Sequence, residues 1–148
     1  MAINKLAIEN AKIRFKNFSG RDDGENPTNR REFTLVLDAD TAQQLIDEGW
    51  NVKVREPREE GDEPDYSIKV CVKFGNYPPT MYLVTSRGTT LLNEDTVGQL
   101  DSAYITNCDL IVTPYHWNYH GKEGIKAYLK TGYFTIEEDE FAHKYNLG

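Results

Sequence analysis

Residues 103–136 read AYITNCDLIVTPYHWNYHGKEGIKAYLKTGYFTI. Two runs rich in β-branched and aromatic residues, 103–120 and 124–136, flank the glycine-containing segment 120–124. Residues of these types favour strands, and a short connection with glycine between two such runs is typical of a hairpin. The sequence therefore predicts that two long antiparallel strands close the domain.

Shorter strands separated by turn signals are predicted before this hairpin. They cover residues 5–18, 31–38, 50–56, 66–74 and 80–86. Alternation of apolar and polar residues supports the first of them, because Ile13 and Phe15 would face inward while Lys12, Arg14 and Lys16 face outward. Between the strands, Asp38 or Asp40 is expected to cap a helix over residues 41–48, and residues 93–100 are expected to form a helical turn.

This order of elements predicts a mostly β fold. Short strands, turns and one or two short helices suit an OB-like five-stranded barrel with additional strands and a hairpin. An immunoglobulin-like sandwich is the main competitor, but its Cys…Trp…Cys spacing is absent and it has no use for the helix at 40–48. Residues 1–136 are expected to form the OB-like domain, with 137–148 as an acidic C-terminal segment, either helix or tail.

Length and composition fit one domain with one core. The chain has 148 residues, of which 39% are hydrophobic, and domains most often run to about 100–150 residues. No apolar run approaches the roughly 20 residues that a membrane span needs, and the N-terminus lacks the apolar region of a secretion signal. Cys71 and Cys108 lie in predicted strands and are expected to be buried thiols of a cytosolic protein.

The net charge of −7 is concentrated in two places. Residues 56–65 hold six acids and one base, and residues 137–148 hold four acids and one base. Subtracting their net charges of −5 and −3 from −7 leaves +1 for everything else. The body of the domain is therefore nearly neutral, and its cations can be gathered on one face.

Catalysis finds little support in the residue pattern. The chain has no P-loop, no GxSxG and no HExxH motif, which are common signatures of enzyme sites. His116 and His120 share a strand face downstream of Cys108, but no further metal ligand stands nearby. The carboxylates of residues 62–65 lie in a loop with proline and glycine, where acid–base geometry would be hard to hold. No enzyme activity, catalytic residue, metal or cofactor is therefore predicted.

Binding of unpaired nucleic acid is better supported. Tyr115, Trp117 and Tyr119 alternate onto one face of the first hairpin strand, and Tyr128 lies between Lys126 and Lys130 on the second. Bases stack on such aromatic rings while lysine and arginine follow the phosphates. The predicted stacking residues are Tyr77, Tyr115, Trp117, Tyr119 and Tyr128. The predicted phosphate contacts are Lys12, Arg14, Lys16, Lys69, Lys73, Lys126 and Lys130.

Each of these residues also has an ordinary structural interpretation. Tyrosine is a common strand residue, and lysine commonly points outward into water. For Trp117 in particular, burial in the core and stacking on a base are equally compatible with the sequence.

Four blocks of the sequence resemble bacteriophage single-stranded-DNA-binding proteins, the OB-fold replication proteins of phages. They are MAINKLAIENAKIRFKNFSG (1–20), GWNVKVREPREEGDEPDYSIKVCVKFGNYPP (49–79), TLLNEDTVGQLD (90–101) and GIKAYLKTGYFTIEEDEFAHKY (124–145). The resemblance covers nearly the whole chain. It implies sequence-independent coating of exposed strands in phage DNA replication, recombination or repair, in the cytoplasm of the infected bacterial host.

The resemblance also implies that an acidic C-terminal segment recruits phage replication proteins. Here that segment is formed by Glu137, Glu138, Asp139, Glu140 and Phe141. A homodimer is left open by the sequence. The alternative function is that of a non-enzymatic phage protein which binds a host protein through its acidic surface.

Overall fold

A long hairpin organises the fold. The structure is a computed structural model, and it describes residues 5–20, 31–75 and 78–137. Strands β8 (Ile105–Tyr119) and β9 (Lys122–Ile136) pair along their whole length. Only His120 and Gly121 connect them, with φ of 53° and 78°, as the tightest hairpin turns require. The predicted hairpin is confirmed, and its connection is shorter than the expected segment 120–124.

The remaining elements are short. The other strands are β1 (Leu6–Ile8), β2 (Lys12–Asn17), β3 (Glu32–Leu37), β4 (Lys53–Arg55), β5 (Asp65–Cys71), β6 (Thr80–Thr85) and β7 (Gly88–Leu92). The helices are α1 (Ala39–Asp47) and α2 (Gln99–Ser102). Strand makes up 55% and helix 11% of the described residues, so the prediction of a mostly β fold with two short helices is confirmed.

All nine strands of the described residues join one sheet. The main path runs β1-β8-β9-β5-β3-β2, with β4 beside β5 and the β6–β7 pair beside β9. The sheet is not closed within the described part, but its two edges approach each other, since the Ala11 N–H donates to the Cys108 carbonyl at 2.7 Å. This arrangement is consistent with the predicted OB-like fold.

The core fills the inner side of this curved sheet. Alternate residues of β3 are buried, as period-two patterning requires. Phe18 lies at its centre, with ring centroids 5.5 Å from Phe33 and 5.3 Å from Phe134. Trp50, just after α1, is also buried. The outer face of the sheet is thereby left to carry polar and exposed aromatic side chains.

Two local predictions in the first strand region are wrong. The expected single strand 5–18 is divided into β1 and β2, because Asn10 adopts a left-handed conformation with φ of 53°. Phe15, expected to face inward, also has φ of 53° and is 80% exposed. The register of β2 against β3 shifts between Arg14 and Asn17, and such an irregularity interrupts the alternation of side chains.

Helix α1 has one of the two predicted N-caps, and it begins at Ala39, two residues before the expected range 41–48. The Asp38 carboxylate accepts a hydrogen bond of 2.7 Å from the Thr41 N–H, which makes Asp38 the N-cap. This hydrogen bond lowers the pKa of Asp38. The expected domain boundary after residue 136 stays a prediction, because residues 138–148 lie outside the described part of the chain.

Candidate nucleic-acid interface

The outer face of the β8–β9 hairpin carries the predicted aromatic residues. In the pairing register Tyr115 lies opposite Lys126, and Trp117 lies opposite Gly124. Tyr115, Trp117 and Tyr119 are 56%, 39% and 70% exposed. Trp117, for which the sequence allowed either burial or exposure, is therefore exposed. The structure therefore brings these rings together on one accessible surface.

Tyr128 joins the same surface from β9. Its ring contacts that of Tyr115 edge to face, with centroids 5.9 Å apart, and Lys126 Nζ lies 5.7 Å from its centroid. A cation placed over a ring in this way is attracted to the negative face of the π-system. Aromatic and cationic side chains are therefore interleaved here at contact distance, as the sequence predicted.

A row of outward-facing residues crosses the sheet from this surface. Tyr115 of β8 pairs with Lys126 of β9. Strands β9 and β5 are parallel, and Ala127 pairs with Val70, so the preceding residues Lys126 and Lys69 lie side by side. Lys69 pairs with Thr34, and Thr34 with Arg14. The row covers five strands, or about 19 Å at the usual interstrand spacing. We call it the transverse row.

Two adjoining pockets lie over the pairing of β5 with β9 and meet at Lys126 of the transverse row. The first, of about 220 Å³, is lined by Trp117 and three lysines, Lys53, Lys69 and Lys126. The second, of about 320 Å³, is lined by Arg31, Lys73, Phe74, Lys126 and Tyr128. Cys71 and Lys126 line both pockets. Together the two pockets form a groove with cations on its walls, Trp117 in one pocket and Tyr128 in the other, which we call the basic groove.

Three cations near the basic groove are paired with carboxylates. Arg14 donates two hydrogen bonds to Asp65, of 3.0 and 3.2 Å. Lys69 Nζ lies 3.7 Å from Glu32 Oε1. Arg31 Nη1 donates to Glu94 Oε1 at 3.2 Å. Because all these pairs are partly open to water, they exchange at small cost for another anion such as a phosphate.

Three predicted phosphate contacts lie at the opposite end of the row. Lys12, Arg14 and Lys16 line a pocket of about 540 Å³ between β2 and the beginning of β8. Lys12 pairs with Val36, and Val36 with Ser67, so the side chain of Lys12 shares the outer face with Lys69. The structure thus places Lys12, Arg14, Lys69, Lys73 and Lys126 on one continuous face.

Lys16 and Lys130 have different surroundings. Lys16 donates a hydrogen bond to the Ala103 carbonyl. Burial lowers the pKa of Lys16, and the charge of Asp101, which raises it, has the smaller effect. Lys130 is the additional residue where the register of β9 shifts. A hydrogen bond with Lys5 and repulsion from its charge lower the pKa of Lys130. A bound anion would relieve that repulsion. Phosphate contact by either lysine stays a prediction.

Several residues of the basic groove were not predicted from the sequence. They are Arg31, Lys53, Cys71 and Phe74. Arg31 Cζ lies 5.2 Å from the Phe74 ring centroid, yet 43 residues separate the two in sequence. Only the β3–β5 register brings them together. Two parts of the predicted site lie outside the described residues: Tyr77, and Glu138–Phe141 of the acidic segment.

A metal centre is not assembled within the described residues, where no group of three His, Cys, Asp or Glu side chains has suitable geometry. Cys108 is buried in the core, and burial raises the pKa of its thiol to about 12, whereas His116 and His120 are exposed at the hairpin end. Among those residues there is also no helix with the length and hydrophobicity needed to cross a membrane.

Solved structures of one phage protein share this fold. The single-stranded DNA-binding protein from bacteriophage Enc34 matches with a TM-score of 0.56 at 12% identity, over 93% of this chain and 83% of that one. The same protein in complex with ssDNA matches with a TM-score of 0.54 at 15% identity, over 93% and 89%. Bacteriophage T7 gp2.5, a single-stranded DNA binding protein, matches at 0.43 and 13% identity over 95% and 94%. No curated protein sequence matches significantly.

The open OB-like sheet carries a groove of cationic and aromatic side chains, a combination typical of domains that bind unpaired strands. The model of the family described as "Putative phage ssDNA-binding domain" matches residues 1–147. The chain therefore belongs to this phage single-stranded-DNA-binding family, as its sequence blocks indicated.

Proposed function

We propose that the protein binds single-stranded DNA without sequence preference and coats exposed strands during phage DNA replication, recombination or repair. The observation that carries the proposal is the transverse row, in which the exposed Tyr115 ring is followed by the cations Lys126, Lys69 and Arg14 across five strands. Membership of the family supports it. The protein would act in the infected bacterial cell, as a binding protein and not as an enzyme.

Aromatic and cationic side chains would contribute to binding in different ways. Tyr115, Trp117 and Tyr119 offer exposed rings on which bases stack, at about 1–3 kcal/mol per base. Lys126 and Lys69 continue from the rings along the row, where they would neutralise phosphates. None of these contacts reads the hydrogen-bonding edge of a base, so the binding is tolerant of sequence.

The length of the row sets a scale for the contact. About 19 Å of continuous outer face accommodates a few nucleotides of an extended strand, at the lower end of the roughly 4–16 nucleotides that one OB fold covers. The pocket at Lys12 and Arg14 would extend the contact at the far end. In duplex DNA the base faces are covered by neighbouring base pairs, so they cannot stack on Tyr115, Trp117 and Tyr119.

Competition binding tests the proposal. Fluorescence of Trp50 and Trp117 is titrated with oligo-dT at several salt concentrations, and unlabelled duplex of equal length competes. We expect oligo-dT to bind more tightly than duplex, and the affinity to fall with salt because bound counterions are released. Equal affinity for duplex and single strand, or binding indifferent to salt, would contradict the proposal. No binding of oligo-dT at any salt concentration would favour the alternative, the binding of a host protein.

The acidic segment has its own proposed role. Glu137, at the end of β9, is exposed, and its N–H donates to the Tyr104 carbonyl at 2.8 Å. The acids that follow would attract basic surfaces of phage replication proteins, and would compete with DNA for the basic groove. Two chains could also associate, and sedimentation of the protein with and without oligo-dT would detect such a homodimer.

A further inference from the structure

Gly124 lies directly beneath the indole ring of Trp117. A Cβ atom at position 124 would lie 2.7, 2.8 and 2.9 Å from Cζ2, Cε2 and Nε1 of Trp117. Carbon atoms in favourable contact are about 3.5–4.0 Å apart. Any side chain at position 124 would therefore occupy the space that three consecutive ring atoms fill, and the indole would have to move.

The backbone gives no other reason for a glycine at this position. The hairpin turn uses Gly121, which has φ of 78°, whereas Gly124 is not among the residues with positive φ. Alanine could adopt the backbone conformation of residue 124 without strain. The contact with Trp117 is thus the constraint that excludes a larger residue.

The strand beneath the ring is held in place. Ile125, the next residue, is buried, and its Cδ1 would touch a Cβ placed at Gly49, 3.5 Å away. Lys126 and Ala127 then pair with Tyr115 and Pro114. Since β9 is anchored directly after residue 124, an added methyl group would displace the indole and leave the backbone in position.

We infer that Gly124 is a positioning residue for DNA binding: its missing side chain seats the Trp117 indole against β9, beside Lys53, Lys69 and Lys126 of the basic groove. The inference rests on the proposed function and adds to it how the stacking ring is oriented. A ring that is already seated loses less conformational freedom when a base stacks on it. Gly124 itself need not touch the DNA.

Gly124→Ala tests this inference together with Trp117→Ala and the double variant. Gly75→Ala is the matched control, because a Cβ there meets nothing within 4 Å. Acrylamide quenching without DNA reports the exposure of Trp117, since Trp50 is buried. Affinity for oligo-dT is then measured at several salt concentrations, and the melting temperature of each variant is recorded.

We expect Gly124→Ala to change the quenching of Trp117 and to weaken oligo-dT binding about threefold to tenfold. Its salt slope should equal that of the parent, because every phosphate contact is kept. In the Trp117→Ala background the same substitution should have no effect, which makes the two residues one coupled unit. If Gly124→Ala lowers the melting temperature through the clash, removing Trp117 should restore it.

The opposite results are equally clear. Gly124→Ala with parental quenching and affinity, while Trp117→Ala binds weakly, would overturn the positioning role and leave the proposed function standing. An equal loss of affinity from Gly124→Ala with and without Trp117 would also overturn it. If the parent itself does not bind oligo-dT, the proposed function fails, and the role of Gly124 in binding fails with it.

Discussion

At the scale of single residues, rings and cations on the basic groove should respond differently to salt. Replacing Trp117 or Tyr128 by alanine removes a stacking surface, so oligo-dT binding should weaken by about 1–3 kcal/mol at every salt concentration. Replacing Lys126 removes a charge next to the Tyr128 ring. That variant should also flatten the plot of log affinity against log salt by about 0.7 for each phosphate that the protein no longer neutralises.

Matched substitutions outside the basic groove serve as controls for this prediction. Leu91 is 62% exposed on β7, and Arg58 is exposed in the acidic loop. Alanine at either position should leave affinity and salt slope close to those of the parent. Should Lys126→Ala and Arg58→Ala change the slope equally, net charge and not the groove would govern binding.

A second prediction at this scale concerns the reactivity of the two cysteines. Burial, and then the charge of Asp109, raise the pKa of Cys108 to about 12. At neutral pH, far below that pKa, its thiol is protonated, and its reactive thiolate forms only as the pH approaches the pKa. Cys71, in contrast, is half-buried and lines both pockets of the basic groove. Alkylation should therefore modify Cys71 and spare Cys108.

Bound DNA should protect Cys71. Mass spectrometry after timed exposure to iodoacetamide would follow each thiol, with the denatured protein as the control in which both react. Oligo-dT should slow the modification of Cys71 in the folded protein. An unchanged rate at saturating oligo-dT would mean that the strand passes elsewhere on the outer face.

At the scale of elements, the hairpin could be predicted because its signals are local. Two long runs of strand-forming residues around a glycine are visible in sequence, and one strand suffices to place Tyr115 and Trp117 on the same face. The division between β1 and β2 could not be predicted, because a left-handed Asn10 carries no strong signal. The exposure of Phe15 was missed because the sequence does not signal the left-handed conformation of Phe15 itself or the register shift beside it.

Contacts between distant elements were also beyond the sequence. Lys69 meets Glu32, and Arg14 meets Asp65, only through the pairing registers of β2, β3 and β5. Lys53 enters the groove because β4 pairs with β5. Alternation predicts which side of a strand a residue occupies, but it does not predict which strand lies beside it.

The pairing of β3 with β5 leads to a prediction about Glu32. Its carboxylate lies 3.7 Å from Lys69 Nζ, where it competes with a phosphate for the same cation. Glu32→Gln should release Lys69 and raise oligo-dT affinity by up to about 1 kcal/mol, the usual upper limit for an exposed ion pair. Titration of the parent and the variant at low salt would measure the gain.

Glu63→Gln controls for net charge in this experiment. Glu63 is exposed in the acidic loop, and its replacement changes the charge of the chain by the same amount. We expect it to raise affinity less than Glu32→Gln does. Equal gains from both variants would show that long-range repulsion of DNA, and not the Glu32–Lys69 pair, limits binding.

At the scale of the whole molecule, charge is distributed unevenly. The chain carries a net charge of −7, yet the transverse row and the basic groove bring lysines and arginines from β2, β4, β5 and β9 onto one face. Binding to a polyanion therefore depends on separating this face from the acids of residues 56–65 and 137–148. Most of the first acidic run lies in the loop between β4 and β5, but its last member, Asp65, begins β5 and pairs with Arg14 of the transverse row.

The second acidic run should act against DNA binding. Truncation after Glu137 keeps the hydrogen bond from its N–H to the Tyr104 carbonyl, and removes three acids and one lysine. We expect the shortened protein to bind oligo-dT more tightly, most clearly at low salt, where charges interact over the longest distance. The melting temperature should stay the same, because unpaired charges are costly to bury and the segment has no reason to pack into the core.

A full-length variant separates charge from packing. Glu138→Gln, Asp139→Asn and Glu140→Gln together remove the same three acids and keep every apolar residue, including Phe141 and Tyr145. If charge is the cause, this variant should reproduce the tighter binding of the truncated protein, and added salt should abolish the difference from the parent. If the segment instead caps the sheet, truncation will lower the melting temperature while the charge variant melts and binds like the parent.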